Sequence, residues 1–307
     1  MSVDRLQPSR YVIISPVKDE ERFIERTLES VANQTIRPQQ WIIVDDGSTD
    51  ESPAIVARFS QQHEWVQVVT RSAGGHRKPG SPVIAAFNTG LERIEASDCD
   101  FIVKLDCDVV LPADYFERIL AEFVKNPRLG IASGVYREEG VSGWRIVPMP
   151  EYHAAGASKV VRATCFAEIG GFVRDRGWDT VDEIRAQVRG WDTRHFEGVQ
   201  FLHLKPEGSA IGSSGTNLMH GEVYYLTGGG MAFLLLKVAH RVVTGAPPVL
   251  GGLALLWGYL RLRLSGQDRL VDAEEARHYR RLLTSRLRTR WRVGPWRANA
   301  TEGRVLK

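Results

Sequence analysis

The sequence predicts an α/β fold in which a mainly parallel sheet is covered by helices on both faces, followed by an amphipathic helical C-terminal region. Three observations carry this prediction. Short β-branched and aromatic runs alternate with stretches of helical spacing through the N-terminal third of the chain. Two of the runs end directly in aspartates, as strands do when their carboxyl ends line a ligand site. Near Gly221 the composition shifts towards Tyr, Leu, Ala and Arg, which divides the chain into residues 1–220 and a helical region of residues 221–307.

The elements follow in order. Tyr11-Val12-Ile13-Ile14-Ser15 is a strand closed by Pro16, and Ile24, Leu28 and Val31 recur at helical spacing behind it. Trp41-Ile42-Ile43-Val44 is a second buried strand with residues 45–50 as its turn, and Ser52-Pro53 supplies the N-cap and first residue of the next helix. Residues 66–69 make a third strand. After a Gly/Pro-rich loop, Ser81-Pro82 opens a helix with apolar positions at Val83, Ala86, Phe87, Gly90, Leu91 and Ile94. Phe101-Ile102-Val103-Lys104-Leu105 is the fourth strand, ending in Asp106-Cys107-Asp108. Beyond Ile131 the pattern loosens into Gly-rich and aromatic segments, with residues 199–203 as a late strand.

The bulk composition excludes several classes. With 43% hydrophobic and 25% charged residues, the chain of 307 has the balance of a packed globular protein rather than a disordered one. A net charge of +3 is too weak to argue for a nucleic-acid partner, but arginines crowd residues 261–297 and imply a local anionic one. Three cysteines without CxxC spacing, Cys99, Cys107 and Cys165, fit free thiols in a reducing compartment. Residues 1–10 are polar and lack the apolar centre of a signal peptide, so a cytoplasmic location is expected. The longest apolar stretches, residues 223–236 and 246–260, contain glycines and fall short of the roughly 20 residues a spanning helix needs, so an interfacial or buried role is expected.

The chemistry lies in two acidic segments. Asp45-Asp46-Gly47-Ser48-Thr49-Asp50 can accept hydrogen bonds from a base or from ribose hydroxyls, although the same residue types also make an ordinary capped turn. Asp106-x-Asp108 places two carboxylates at the end of a buried strand, where they repel unless a cation or ligand donors sit between them. Hard oxygen donors of this kind suit Mg²⁺ or Mn²⁺ shared with a diphosphate. Alone, a DxD is weak evidence; behind a second strand that already ends in Asp-Asp-Gly-Ser it is far more specific.

These segments, together with Ile14-Ser15-Pro16-Val17-Lys18-Asp19-Glu20, Asn88-Thr89-Gly90 and Ile169-Gly170-Gly171-Phe172, resemble the inverting family-2 glycosyltransferases with the A-type (GT-A), Rossmann-like nucleotide-sugar fold. The resemblance covers residues 10–205, with Lys18-Asp19 standing in place of the family's Tyr-Asn. It implies that Pro16 and Glu20 frame the nucleotide pocket, that Asp45 and Asp46 contact base and ribose, and that Asn88 belongs to the same nucleotide-sugar site. It further implies that Asp106 meets ribose or metal and that Asp108 is the main ligand of a Mn²⁺ or Mg²⁺ ion. The family's catalytic base lies in a Glu-Asp-x-Asp-like segment, matched here by Trp178-Asp179-Thr180-Val181-Asp182-Glu183. Asp179 holds the first acidic position and Asp182 the better-matched end, so both are candidates for the base, with Asp182 favoured. Single displacement needs such a carboxylate to take the acceptor proton while charge on the leaving diphosphate is absorbed.

His203 closes the late strand and is a candidate third metal ligand, against the reading of a structural histidine. The loop His76-Arg77-Lys78 is a possible phosphate clamp or simply a solvated basic loop. Arg288-Thr289-Arg290-Trp291 is similar to the Gln-x-x-Arg-Trp signature of processive synthases but lacks the glutamine, which favours addition of a single sugar. The stretch from Pro247 to Leu260, with Trp257, Tyr259, Arg261 and Arg263, has the makings of an interfacial helix, against packing on protein. The expected partners are therefore a nucleotide-diphosphate sugar, UDP-sugar first, a glycan or polyprenyl-diphosphate-linked acceptor, and the cytoplasmic face of a membrane bound monotopically.

Two rivals compete with this expectation. A haloacid-dehalogenase-like phosphatase carries its DxD after the first strand, which here ends in Ser15-Pro16, and a nucleotidyltransferase shares only the metal site. A membrane-bound module that binds sugar nucleotides without turnover differs in failing to hydrolyse them with Mn²⁺. GxGxxG after a strand, GK[ST] and GxSxG are all missing, which argues against dinucleotide binding, P-loop chemistry and serine hydrolysis.

Overall fold

The computed structural model of the chain describes residues 10–71, 82–94, 99–140, 143–205, 212–244 and 249–293. The basic loop His76-Arg77-Lys78 lies outside these residues. The chain divides into two compact units, Met1–Thr216 and Asn217–Lys307.

The first unit is built on a nine-stranded sheet. Its strands are β1 (Tyr11–Val17), β2 (Gln40–Asp45), β3 (Val66–Thr70), β4 (Phe101–Leu105), β5 (Val109–Val110), β6 (Leu129–Gly140), β7 (Gly143–Ile146), β8 (Ser158–Arg162) and β9 (Asp192–His203). They lie in the order β3-β2-β1-β4-β8-β6-β9-β5, with β7 on β6. The first four strands in that order are parallel, whereas β8 runs antiparallel to both β4 and β6, and β5 antiparallel to β9. Alternation along β1 explains the double cover. Tyr11 and Ile13 enter one core with α1 (Ile24–Ala32) and α4 (Tyr115–Lys125), while Val12 and Ile14 enter the other with α3 (Pro82–Leu91), α5 (Ala163–Glu168) and α6 (Trp178–Val188). A further helix, α2 (Ser52–Gln62), adds Val56 to the first core.

Pro16, expected to close β1, instead lies inside it opposite Val44. The ladder to β4 has already ended at Ile14 and Lys104, so on that side the missing N–H leaves no gap. Gly90 of the Asn-x-Gly motif has a packing role: a Cβ there would lie 2.6 Å from Ile14 Cγ2, so only glycine lets α3 rest on β1 and β2.

The region that looks loose in sequence is the 12-residue strand β6 and its parallel partner β9, also of 12 residues. Their register shifts between Gly134 and Val135, where the β9 partner jumps from Phe196 to Gln200. At this irregularity a Cβ on Gly134 would lie 2.4 Å from the Val199 carbonyl oxygen and 2.9 Å from the Tyr115 ring. We expect Gly134→Ala to destabilise the unit by about 1–3 kcal/mol through overpacking against backbone, read as a lowered denaturant midpoint. An unchanged midpoint would show that β6 and β9 part without cost.

The second unit is helical: α7 (Gly212–Leu226), which begins in the first unit, α8 (Met231–Thr244), α9 (Leu250–Leu264) and α10 (Ala273–Val293). The apolar stretch 223–236 is split by a turn in which Gly228 has φ +84°. Among the described residues no helix is long and apolar enough to cross a membrane. α9 packs in an unusual sense. Its buried side carries Gly251, Gly252 and Gly258 beside Leu255 and Tyr259. A Cβ on Gly258 would lie 2.1 Å from the Leu218 carbonyl of α7, and one on Gly252 would lie 2.5 Å from Val242 of α8. Its large apolar residues point the other way: Leu250, Leu253, Trp257 and Leu264 are each more than half exposed and share one side of a 3.6-residue helix.

Candidate active site

The acidic segments sit where parallel strands end. Asp45 closes β2 opposite Val17 of β1, and the Asp46 N–H donates to the Val17 carbonyl at 2.9 Å. The turn behind it is stitched to the loop after β1. Asp45 Oδ1 accepts from the Ser48 N–H (3.0 Å), Asp19 Oδ1 from the Thr49 N–H (2.7 Å), Ser52 Oγ from the Glu20 N–H (2.9 Å), and Asp50 Oδ2 from the Glu21 N–H (2.9 Å). Asp19 takes φ +55°, a conformation that Asp and Asn tolerate best after glycine, so Lys18-Asp19 serves this turn. Asp46 is paired with Arg71 of the β3 end at 2.8 Å. These residues thus cap the turns at the carboxyl ends of β1 and β2. Pro16 lies in β1 one residue before Val17, and Asn88 lies in α3 two positions before Gly90.

At the end of β4 each aspartate has its own cation. The Lys104 ammonium, almost wholly buried, donates to Asp106 and to the Gly156 carbonyl at 2.9 Å. Asp108 Oδ2 lies 3.5 Å from His203 Nε2, and His203 Nδ1 lies 3.1 Å from Glu138 Oε1. Burial works against the charged imidazole, but the hydrogen bonds and charge of Asp108 and the contact with Glu138 outweigh it and push His203 up to about 9. The i, i+2 repulsion that the sequence suggests is relieved by Lys104 and His203 from within the chain. Lys104 was hidden in the sequence as one position of an apolar strand.

Two buried carboxylate oxygens in this neighbourhood, Asp108 Oδ1 and Glu20 Oε2, have no hydrogen-bond partner. Glu20 Oε1 accepts from Lys205 at 2.7 Å, and burial, opposed by Lys205 and reinforced by Asp108, raises the Glu20 carboxyl. The described residues gather no group of three or more His, Cys, Asp or Glu that would cage a metal. What they offer is a pair: an open Asp108 oxygen, and a histidine whose far nitrogen is oriented by a carboxylate, the usual support of a metal-binding imidazole. Once His203 Nε2 gives up its proton to make room for the ion, such a pair fits a divalent cation whose remaining ligands are diphosphate oxygens.

The segment from Trp178 to Glu183 lies on α6. Asp182 and Glu183 are buried with Lys159 of β8, whose side chain has no exposed surface. Lys159 Nζ donates to Asp182 Oδ2 at 2.9 Å, to the Asp179 carbonyl at 2.8 Å and to Glu183 Oε1 at 3.3 Å. Glu183 also accepts from the Ala154 N–H (2.7 Å) and meets His153 Nδ1 at 2.9 Å. Burial raises the Asp182 carboxyl against the pull of Lys159. Asp179, in the first turn of the helix, keeps a partly exposed side chain. A Cβ on Gly156 would lie 3.8 Å from Asp179 Cβ, while the Asp106 N–H donates to the Ala157 carbonyl at 2.8 Å. Asp106 and Asp179 therefore both lie next to the Gly156-Ala157 segment. Lys159 and His153 escaped sequence reasoning, because a buried charge carries no local signature until its partner is known, and Glu183, visible in the acidic segment, gave no sign of its burial.

A family model described as "Glycosyl transferase family 2" matches residues 12–175. The chain is 28% identical over 131 residues to the glycosyltransferase GlyA of Streptococcus pneumoniae, a match over 43% of this chain and 17% of that protein. It is 27% identical over 116 residues to a poly-β-1,6-N-acetyl-D-glucosamine synthase of Staphylococcus epidermidis, covering 38% of this chain and 26% of the synthase. The chain thus spans only a minor part of the length of these relatives. Among solved structures, a Pyrobaculum calidifontis mannosyltransferase in complex with GDP-Man and Mn²⁺ superposes with a TM-score of 0.55 at 17% identity, covering 92% of this chain and 81% of that one. Residues 1–349 of S. aureus TarS in complex with UDP-GlcNAc give a TM-score of 0.52 at 18% identity, covering 88% and 78%.

Proposed function

The chain belongs to glycosyl transferase family 2 and has its A-type fold, and from that premise we propose that this glycosyltransferase moves one sugar, with inversion, from a nucleotide-diphosphate donor to a glycan or lipid-linked acceptor. The observation that supports this most is the convergence of Asp106, with its neighbour Asp108, and of Asp179 on the Gly156-Ala157 turn. Single displacement needs carboxylates on the donor side and a base on the acceptor side within one site, and this turn is where the two segments come together.

In this reading Asp45 and Asp46, with Pro16, Glu20 and Asn88 around them, receive the nucleoside, and Asp106 its ribose. Asp108 and His203 would hold Mn²⁺ or Mg²⁺, which supplies positive charge beside the leaving diphosphate. Asp179 takes the proton from the attacking hydroxyl. Between the two candidates for the base, Asp179 is preferred because Asp182 is buried and committed to Lys159, out of reach of an acceptor. UDP-sugars are the first donors to try, given the UDP-GlcNAc complex of TarS, and GDP-mannose the second, given the mannosyltransferase. The test is a screen of sugar nucleotides with Mn²⁺, with and without EDTA, against lipid extracts and soluble glycans. The expected result is metal-dependent release of nucleoside diphosphate with one donor, and a product of inverted anomeric configuration by NMR. Retained configuration would overturn single displacement.

Membrane attachment at the cytoplasmic face is part of the same proposal. Its support is the exposed side of α9, where Leu250, Leu253, Trp257 and Leu264 form an apolar stripe, with Arg263 exposed near its end and Arg261 committed to the buried Glu222. Each arginine near an anionic surface contributes about 1 kcal/mol. The full chain is expected to cosediment with phosphatidylserine-containing vesicles, weakly reduced by salt, and Trp257→Glu to bind at least about ten-fold less, the order expected for a charge at an apolar interface. Equal sedimentation of the two proteins would remove α9 as the anchor.

A further inference from the structure

We propose that Lys159 is a positioning residue for Asp179, and that with Lys104 and the Trp178 ring between them it ties the acceptor-side carboxylate to the donor-side pair. The inference rests on the reading of Asp179 as the base.

A buried lysine beside two carboxylates has an obvious role as counter-ion, but Lys159 does more than that. Its ammonium has three hydrogens, and one of them goes to a neutral group, the Asp179 carbonyl at 2.8 Å, although Asp182 and Glu183 offer four carboxylate oxygens nearby. That carbonyl sits in the first turn of α6, which the Thr180 and Val181 N–H groups close onto the Gly177 carbonyl and whose Trp178, Val181 and Asp182 are buried. The residue before the helix, Gly177, has φ +83°, and no side chain caps the helix. The Lys159 bond is the side-chain tie at the Asp179 peptide itself, from which the Asp179 side chain projects. Lys159 thereby fixes the Asp179 peptide to β8, in the centre of the sheet.

The ring of Trp178 extends this clamp. Lys159 Nζ lies 5.2 Å from its centroid and Lys104 Nζ 5.3 Å, both within cation–π range. Lys104 is the same residue that holds Asp106 and the Gly156 carbonyl. Gly156 lies beside the same ring: a Cβ there would make ordinary contact with Trp178 Cζ2 at 3.4 Å. A displacement of Trp178 therefore reaches both carboxylates. Directly before the family's first acidic position, held here by Asp179, the chain places an aromatic ring within 5.3 Å of two buried ammoniums.

The test uses the full-length protein, Mn²⁺ and whichever of UDP-GlcNAc and GDP-mannose the donor screen turns over, with kcat, donor KM and calorimetric donor affinity as readouts. Lys159→Met alone leaves two buried carboxylates uncompensated and can fail to fold. The working variant is Lys159→Met/Asp182→Asn, in which Glu183 keeps His153 and the Ala154 N–H. Relative to Asp182→Asn alone, its kcat is expected to fall about 30-fold, the order of loss from a misplaced reacting group, with donor KM and affinity within about two-fold. Trp178→Leu, which removes no charge, is expected to show the same split with a kcat loss of about ten-fold. A double variant that matches Asp182→Asn in kcat, or a drop carried entirely by donor KM, would overturn the inference. Asp179→Asn is run beside them: if it stays active, the base assignment and this inference fail together; if it is inactive while the Lys159 and Trp178 variants turn over normally, the inference alone fails.

Discussion

Asp179→Asn is expected to lower kcat by about 10²–10⁴-fold, the usual contribution of a positioned general base, while donor KM and donor affinity stay within about two-fold. Asparagine has the shape of aspartate, and the Asp179 carbonyl that Lys159 holds is unchanged by it, so only the proton acceptor is lost. Asp182→Asn is expected to act differently. Its carboxylate is the nearest counter-charge of the buried Lys159, so its loss should be read first as a lower melting temperature, by about 3–5 kcal/mol of stability if Glu183 compensates poorly. Steady-state kinetics and thermal denaturation on the two variants separate these outcomes. Near-normal turnover of Asp179→Asn with intact donor binding would move the base elsewhere.

Asp108→Ala is expected to abolish transfer, by about 10³-fold or more if a divalent cation neutralises the leaving diphosphate. The fold should survive, because Asp108 Oδ1 holds nothing else in the chain and its backbone carbonyl still accepts from the Leu204 N–H at 2.8 Å. Mn²⁺ binding followed by EPR, with circular dichroism as control, measures both halves of the claim. The His203 imidazole adds a second readout. Loss of Asp108 removes the largest influence that raises it, so its titration should move down from about 9 and be observable by NMR. Full transfer in EDTA, or unchanged Mn²⁺ affinity in the variant, would sink metal assistance.

The strands β1 to β4 and the helices between them were legible because each strand is an apolar run bounded by turn residues, and each helix shows its face at 3.6-residue spacing. Legibility failed where burial and sequence pattern separate. Gly130 and Gly134 look like breakers of β6, yet they are glycine because Cys165, Trp191, Tyr115 and the Val199 backbone come too close for a side chain. The late strand was seen only at residues 199–203 because in its first half, Asp192 to Glu197, the buried positions are the polar Thr193 and His195 between exposed Asp192 and Arg194, so no apolar run marks it. In the candidate site, Asp45, Asp46, Asp106 and Asp108 announced themselves through motif and position at strand ends. Lys104 and Lys159 did not, since lysine in a strand is ordinarily a solvated edge residue, and only the fold brings them under Trp178.

The inverted packing of α9 has a calorimetric consequence. A helix that buries glycine against neighbouring backbones, and leaves Leu250, Leu253, Trp257 and Leu264 outside, removes little apolar area from water when it docks. The heat-capacity increment of unfolding follows newly exposed apolar area, typically about 12–15 cal/mol/K per residue. In lipid-free solution the helical unit should fall below that range, so its stability curve should be shallow, with little tendency to cold denaturation.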